Sequence, residues 1–183
     1  MLVRHGETQW SAAGRHTSHS DLPLTEQGRE RAAHLADELA HRRFALILTS
    51  PLRRARQTAD AAGFGEVAQV CPELHEWDYG EYEGLTTPEI RAKRPDWVLW
   101  RDGCPGGESP EQVGARADEV IARTRRAEGD ALLFAHGHVL RVIAARWIEM
   151  PPAAGARWAL AAGGLSILGF ERETRVVQEW NRT

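Results

Sequence analysis

Two short apolar runs in this chain end abruptly in His-Gly: Leu2-Val-Arg-His5-Gly6 near the start, and Leu133-Phe-Ala-His136-Gly137-His138 much later. A neutral imidazole is a competent nucleophile near pH 7, and a nitrogen–phosphorus adduct splits one hard displacement into two easier ones. His5 would serve if one ring nitrogen faced the phosphorus while a backbone carbonyl held the proton of the other. Arg4 stands beside it, and the run Arg53-Arg54-Ala-Arg56 adds guanidinium groups, which grip phosphate oxygens in pairs. The pattern suits capture and transfer of a phosphoryl group.

Such groups work only if the fold brings them together. Met1–Val3 reads as the tail of a buried strand, short enough that an upstream start is expected. From Thr25 to Arg43 the apolar spacing is helical, with Ala32, Leu35, Ala36 and Leu39 on one face. Residues 44–49 form a continuous apolar run fit for a strand buried on both faces. A helix follows from Pro51 to Ala62, closed by Gly63, then a short strand over Val67–Val70. Residues 73–109 make a long irregular excursion with a helix around Thr87–Lys93. A helix over Ser109–Arg126, a strand over Ala131–Ala135, a helix over Val139–Glu149 and two strands over residues 165–170 and 176–180 complete the chain.

Strand and helix alternate, which predicts one α/β domain over residues 1–183, a three-layer α/β/α sandwich with a mainly parallel sheet and an antiparallel edge. In such sheets ligands bind at the carboxyl ends of parallel strands. Arg4-His5-Gly6, Thr49-Ser50 and His136-Gly137 each follow a predicted strand, so parallel strands would land all three on one rim. A helix opening near Val139 would also offer free N–H groups to a phosphate, and His136, protonated beside it, a further donor.

Composition narrows the partners. Net charge is −3, which gives no basis for a nucleic-acid or membrane partner, so an anionic substrate must be drawn by local arginines. Of the 23 basic residues only Lys93 is lysine, a bias that coding composition explains for most of them; position must single out the functional ones. The first apolar stretch stops at Arg4, so no leader is expected, and two cysteines are too few for a disulfide framework; a cytoplasmic protein follows as the expectation. His5, His16, His19, His136 and His138 invite a zinc reading. His136 and His138 lack acidic or thiolate partners at ligand spacing, and adjacent arginines would repel a dication, so neither metal nor cofactor is expected.

Five motifs in order resemble the histidine phosphatase superfamily, the phosphoglycerate mutase-like group: Arg4-His5-Gly6-Glu7-Thr8, Leu24-Thr25-Glu26-Gln-Gly28, Ser50-Pro-Leu-Arg-Arg54-Ala-Arg-Gln-Thr58, Leu74-His-Glu76 with Gly80 and Glu83-Gly84, and His136-Gly137. The resemblance implies that His5 takes the phosphoryl group, that Arg4, Arg54 and His136 hold its oxygens, and that Glu76 protonates the leaving alkoxide. Asp78, Glu81 and Glu83 are rivals for that last role. Glu76 would need its proton affinity raised, which a neighbouring dianion supplies by like-charge repulsion. Ser11, His16, Thr17 and Ser18 fall in the loop that closes over the phosphate in relatives, and Tyr79, Gly137 and His138 also match substrate-contacting positions.

About sixty residues separate Glu76 from His136, without the insertion that covers the site in mutases, so hydrolysis is favoured over return of the phosphate to substrate. Two stretches, residues 76–86 and 100–109, resemble the branch holding fungal sedoheptulose-1,7-bisphosphatases and actinobacterial acid phosphatases. That implies a small phosphorylated metabolite such as a sugar phosphate, with Arg101 and His16 or His138 meeting a second phosphate or a carboxylate. A primer-dependent phosphoglycerate mutase and an inactive phospho-ligand-binding module are the alternatives. Trp147, Trp158 and Trp180 fall outside the motifs and suit either core packing or a homodimer face.

Overall fold

In the computed structural model, which describes residues 1–183, β1 (Leu2–Arg4), β2 (Leu46–Thr49), β3 (Gln69–Val70), β4 (Ala131–Ala135), β5 (Leu165–Glu171) and β6 (Thr174–Arg182) form one sheet. Its order is β3-β2-β4-β1-β5-β6. The pairs β1–β4, β2–β4 and β2–β3 are parallel, while β1–β5 and β5–β6 are antiparallel. The antiparallel part is thus a pair of strands. Because β1, β2 and β4 share a direction, Arg4-His5, Ser50 and His136 leave the sheet on the same rim.

Alternation along the strands builds a core on each face. Leu132 and Phe134 of β4 pack with Val3 and with Leu35, Leu39 and Ala59, which come from α2 (Glu26–Leu39) and α3 (Arg53–Ala61). Leu133, between them in sequence, points to the other face and joins Leu2, Leu48 and the apolar stripes of α6 (Pro110–Arg125) and α7 (Gly137–Trp147). That second core is the larger, with 22 buried residues against 8, because the excursion adds Trp77, Tyr79, Ile90 and Trp97 to it. The excursion holds α4 (Thr87–Lys93) and α5 (Leu99–Asp102).

Local chemistry moves several predicted boundaries. Helix α2 starts after Thr25, whose hydroxyl accepts the Gly28 N–H, and ends at Leu39 rather than Arg43. Helix α3 starts at Arg53 rather than Pro51, because the Arg53 N–H is taken by Asp21 Oδ1 at 2.6 Å. Ser109 caps α6 through a capping box with Gln112. Helix α7 opens at Gly137, two residues before the predicted start, with His136 as its N-cap residue. A short helix, α1 (Gln9–Ala12), was not foreseen; Thr8 and Ser11 close it by exchanging side-chain and backbone hydrogen bonds. The three tryptophans outside the motifs pack on their own chain. Trp147 donates to Gly169 O and meets Phe170, and the Trp158 and Trp180 rings lie 5.5 Å apart.

Candidate active site

The loop after β1 carries His5 into the rim. Its backbone is fixed by His5 N–H to Ala135 O and by Gly6 N–H to the Thr58 hydroxyl, which itself donates to Arg54 O. Gly6 and Gly28 allow α2 to dock here. A Cβ on Gly28 would sit 2.3 Å from Glu7 O, and one on Gly6 2.3 Å from Gly28 O. Thr25 adds bonds from its N–H to Glu7 O and from its hydroxyl to the Glu7 carboxylate.

His5 is 5 % exposed. Its Nδ1 lies 2.7 Å from Gly6 O, which can only accept, so Nδ1 carries the proton and Nε2 keeps its lone pair. Burial, and then Arg4 and Arg54, hold the ring well below the ordinary histidine range, so it is neutral. The His136 ring centroid lies 5.2 Å away.

His136 differs from expectation. Its Nδ1 accepts from Arg54 Nε at 3.1 Å, which places its proton on Nε2, 2.7 Å from the Ser50 hydroxyl. Burial first, then Arg54, His5 and Arg4, hold this ring well below its usual range, so it is a neutral acceptor for Arg54 rather than an imidazolium.

The two arginines are not equivalent. Arg4 bonds Leu160 O through Nη1, lies against Gly137 and keeps its other N–H groups free, Nε included. Arg54 is 1 % exposed and braced all round. Besides His136 it donates through Nη1 to Ser20 O and through Nη2 to Thr17 O and Ser18 O. Of a guanidinium's five N–H donors, one on Nη1 is left. Arg53 and Arg56, its neighbours on α3, are exposed.

Glu76 is 5 % exposed and sits at the start of α7. Oε1 accepts from Trp77 N–H and Val139 N–H, both at 2.9 Å, and Oε2 from His138 N–H at 3.0 Å. The helix N-terminus is therefore used by Glu76, and only the Gly137 N–H is left for a phosphate, a correction to the expectation of several free donors. A carboxylate offers about four lone-pair sites, so the one remaining lies on Oε2, and that is where a transferable proton belongs. The segment itself is clamped by Arg116, which donates to Glu73 O, His75 O and Glu76 O while pairing with both oxygens of Glu108. The rivals are turned elsewhere: Asp78 pairs with His19, Glu81 is exposed and Glu83 binds Ser18 and Ser20.

These groups meet at a cavity of about 180 Å³ lined by Arg4, His5, Ser11, His16, Thr17, Glu76, Tyr79, Gly137 and His138, all foreseen from the sequence. Arg54 and His136 are buried beside His5, the His136 ring 5.2 Å from that of His5 and its Nδ1 bonded to Arg54, while Ser18 is bonded to Arg54 in turn. The Ser11 hydroxyl caps α1, and the Ser18 carbonyl holds Arg54. Tyr79 shares a 2.6 Å hydrogen bond with His138 Nδ1, and the His16 ring lies 4.7 Å from the Tyr79 ring. Burial keeps the Tyr79 phenol protonated.

Arg101 does not reach the cavity. Its side chain is 63 % exposed and tied to its neighbour Asp102 and to Asp96 O. Sequence reasoning missed Arg141, which does line the cavity, three residues after His138 on α7. Arg141 donates to Gly155 O and Ala156 O and lies 4.6 Å over the Trp100 ring. The i, i+3 spacing from His138 was the signal available. Thr8, Gly14, Arg15 and Leu160 were missed as well. With Arg4, Arg15 and Arg141 facing Glu76 alone, the cavity attracts anions. A larger cavity, about 420 Å³, lies at the amino ends of the parallel strands among Met1, Val120, Ile121, Trp147 and Phe170 and holds none of these groups.

A buried histidine with a free Nε2, open guanidinium donors and a carboxyl group at one sheet rim are groups that can together hold and transfer a phosphoryl group. The comparisons agree with that chemistry. A sequence model of the histidine phosphatase superfamily (branch 1) matches residues 1–183, and the chain belongs to that family. It is 43% identical over 179 residues to an acid phosphatase of Mycobacterium tuberculosis, covering 96% of this chain and 88% of that protein. It is 37% identical over 182 residues to a sedoheptulose 1,7-bisphosphatase of Saccharomyces cerevisiae, covering 82% and 67%. The solved structure of an open reading frame product from Mycobacterium tuberculosis superposes with a TM-score of 0.94 at 41% identity, over 100% and 96% of the two chains. No helix is long and apolar enough to cross a membrane.

Proposed function

We propose that the protein is a phosphomonoesterase that cleaves a small phosphorylated metabolite through a phosphohistidine on His5 and needs no metal. The observation that carries this reading is the Nδ1–H of His5 locked on Gly6 O, which leaves Nε2 free at the floor of an arginine-lined cavity. Nε2 attacks phosphorus and the ester P–O bond breaks. The Oε2 proton of Glu76 goes to the departing alkoxide, which leaves as the alcohol. Glu76 then takes a proton from water as the water oxygen attacks phosphorus, and the N–P bond breaks to give inorganic phosphate and neutral His5. Arg4, the Gly137 N–H and the last Nη1 donor of Arg54 hold the equatorial oxygens, where charge must be kept through the transition state.

Rapid quenching with labelled phosphomonoester tests the intermediate. The expected adduct is labile to acid and absent from His5→Ala; an acid-stable adduct, or label retained by that variant, would assign another nucleophile. Arg54→Ala should lower kcat by roughly 10²–10³-fold with the fold intact. A requirement for a bisphosphoglycerate primer would reassign the chain to mutase chemistry.

The cavity is small beside the ~300–1,000 Å³ of common ligand pockets, which restricts the occupant to a metabolite of sugar-phosphate size. Arg141 and Arg15, with His16 and His138, stand where the organic part would lie, so a second phosphate or a carboxylate on the substrate fits best. The yeast relative's name, a bisphosphatase, supports that class. Arg141→Ala should raise KM for fructose 1,6-bisphosphate about tenfold, a ~1.4 kcal/mol loss, and leave p-nitrophenyl phosphate nearly unchanged. Equal losses on both probes would refute a second-anion role.

A further inference from the structure

Glu83 lies outside the cavity, yet it is joined to Arg54 through two residues of backbone. Its Oε2 accepts the Ser18 N–H at 2.8 Å and its Oε1 the Ser20 N–H at 3.0 Å. The carbonyls of the same two residues face the other way. Ser18 O accepts from Arg54 Nη2 at 3.2 Å and Ser20 O from Arg54 Nη1 at 3.0 Å. The loop is thus polarised, with an anion on its N–H side and a cation on its carbonyl side.

The loop has little else to set its orientation. Residues 17–20 belong to no helix or strand, and the only N–H groups among them with a partner in the protein are the two held by Glu83. Gly84 and Leu85, next in sequence, bond His16 O and His16 N–H, so the carboxylate arrives on a backbone already stapled to the loop. Three of the four bonds made by the Arg54 guanidinium go to carbonyls of this loop, and only the fourth, to His136, is independent of it. Tilting the two peptide groups would therefore tilt the guanidinium plane.

We propose that Glu83 is a positioning residue for phosphoryl transfer: by holding the Ser18 and Ser20 N–H groups, it sets the plane in which Arg54 presents its remaining donor to the phosphoryl oxygens. Burial works against the charge of Arg54, and Glu83 is among the anions that oppose this. The inference rests on the phosphatase reading and on Arg54 serving it.

Glu83→Gln is the direct test, since the amide keeps the shape but turns an NH₂ toward one of the two N–H donors. With p-nitrophenyl phosphate, kcat should fall about tenfold with KM changed by less than about twofold, since misplacing a catalytic group slows the chemical step. Inhibition by orthovanadate should weaken in step. A cycle with Arg54→Ala separates positioning from a general loss of loop order. If Glu83 acts through Arg54, adding Glu83→Gln to Arg54→Ala should change kcat by less than about twofold. The same tenfold loss with and without Arg54, or a Glu83→Gln enzyme within twofold of wild type, would overturn the proposal. Glu83→Asp, which keeps the charge but cannot span both N–H groups, gives the same readout if the glutamine variant fails to fold. Arg54→Ala with wild-type turnover would count against the site reading itself and remove the basis of this inference with it.

Discussion

In the proposed reaction His5 can attack only while it lacks a proton on Nε2. Its environment favours that state: removal from water disfavours the charged ring, and Arg4 and Arg54 repel it. The sign is clear. A histidine held below the ordinary value of 6.5 stays neutral at pH values where an exposed one is largely protonated. The acid limb of kcat/KM should therefore fall below 6.5 once corrected for the substrate's own second ionisation near ~6. A midpoint at or above 6.5 that does not move in Arg4 variants would show that the ring titrates like a free one. The same reasoning changes the part played by His136, which in this arrangement orients Arg54 rather than donating from an imidazolium.

Among the elements, the seat of α2 on the loop that carries His5 is the most exacting. Glu7 O and N would lie 2.3 and 2.7 Å from a Cβ at Gly28, and backbone atoms cannot swing away as a flexible side chain can. Gly28→Ala should push α2 off the loop, reduce stability by ~1–3 kcal/mol in urea titration and lower kcat by displacing His5. Unchanged values of both would mean that the helix shifts at no cost to the site. This contact explains physically why Leu24-Thr-Glu-Gln-Gly28 was recognisable as a motif. Other parts of the site were legible for similar local reasons. Apolar runs marked the strands, His-Gly marked two strand ends, and the motif position before Ala55 singled out Arg54, which is buried, from Arg53 and Arg56, which are exposed. The i, i+3 spacing marked Arg141 only as a neighbour of His138; where its guanidinium goes depends on Trp100 and Gly155 being packed against α7 by residues far away in sequence. Arg101 misled for the opposite reason: Asp102, adjacent in the chain, captures its guanidinium first. The three N–H groups on Glu76 were likewise invisible until the 73–84 segment met the start of α7.

For the molecule as a whole, burying imidazoles for function carries a cost in acid. His5 and His136 are 5 % and 0 % exposed, and both are held well below 6.5; His138 and His16 are lowered too. Below about pH 6.5 the unfolded chain binds protons at these rings that the folded chain does not. The number bound is then larger in the unfolded state, so unfolding free energy rises with pH and falls as acid is added. Each fully buried ring contributes a slope of about 1.4 kcal/mol per pH unit once well below that value. The carboxylates act in a separate, lower window: Asp102, held at about 2 chiefly by its bond to Arg101, loses its contribution only as pH falls from 3.8 toward that value. Calorimetric Tm should therefore drop between about pH 7 and pH 5, before any carboxylate window opens. His5→Ala should flatten that slope, and inorganic phosphate, which favours protonated rings beside it, should oppose it. A Tm that stays level through this range in wild type would show that the buried imidazoles take up protons without unfolding.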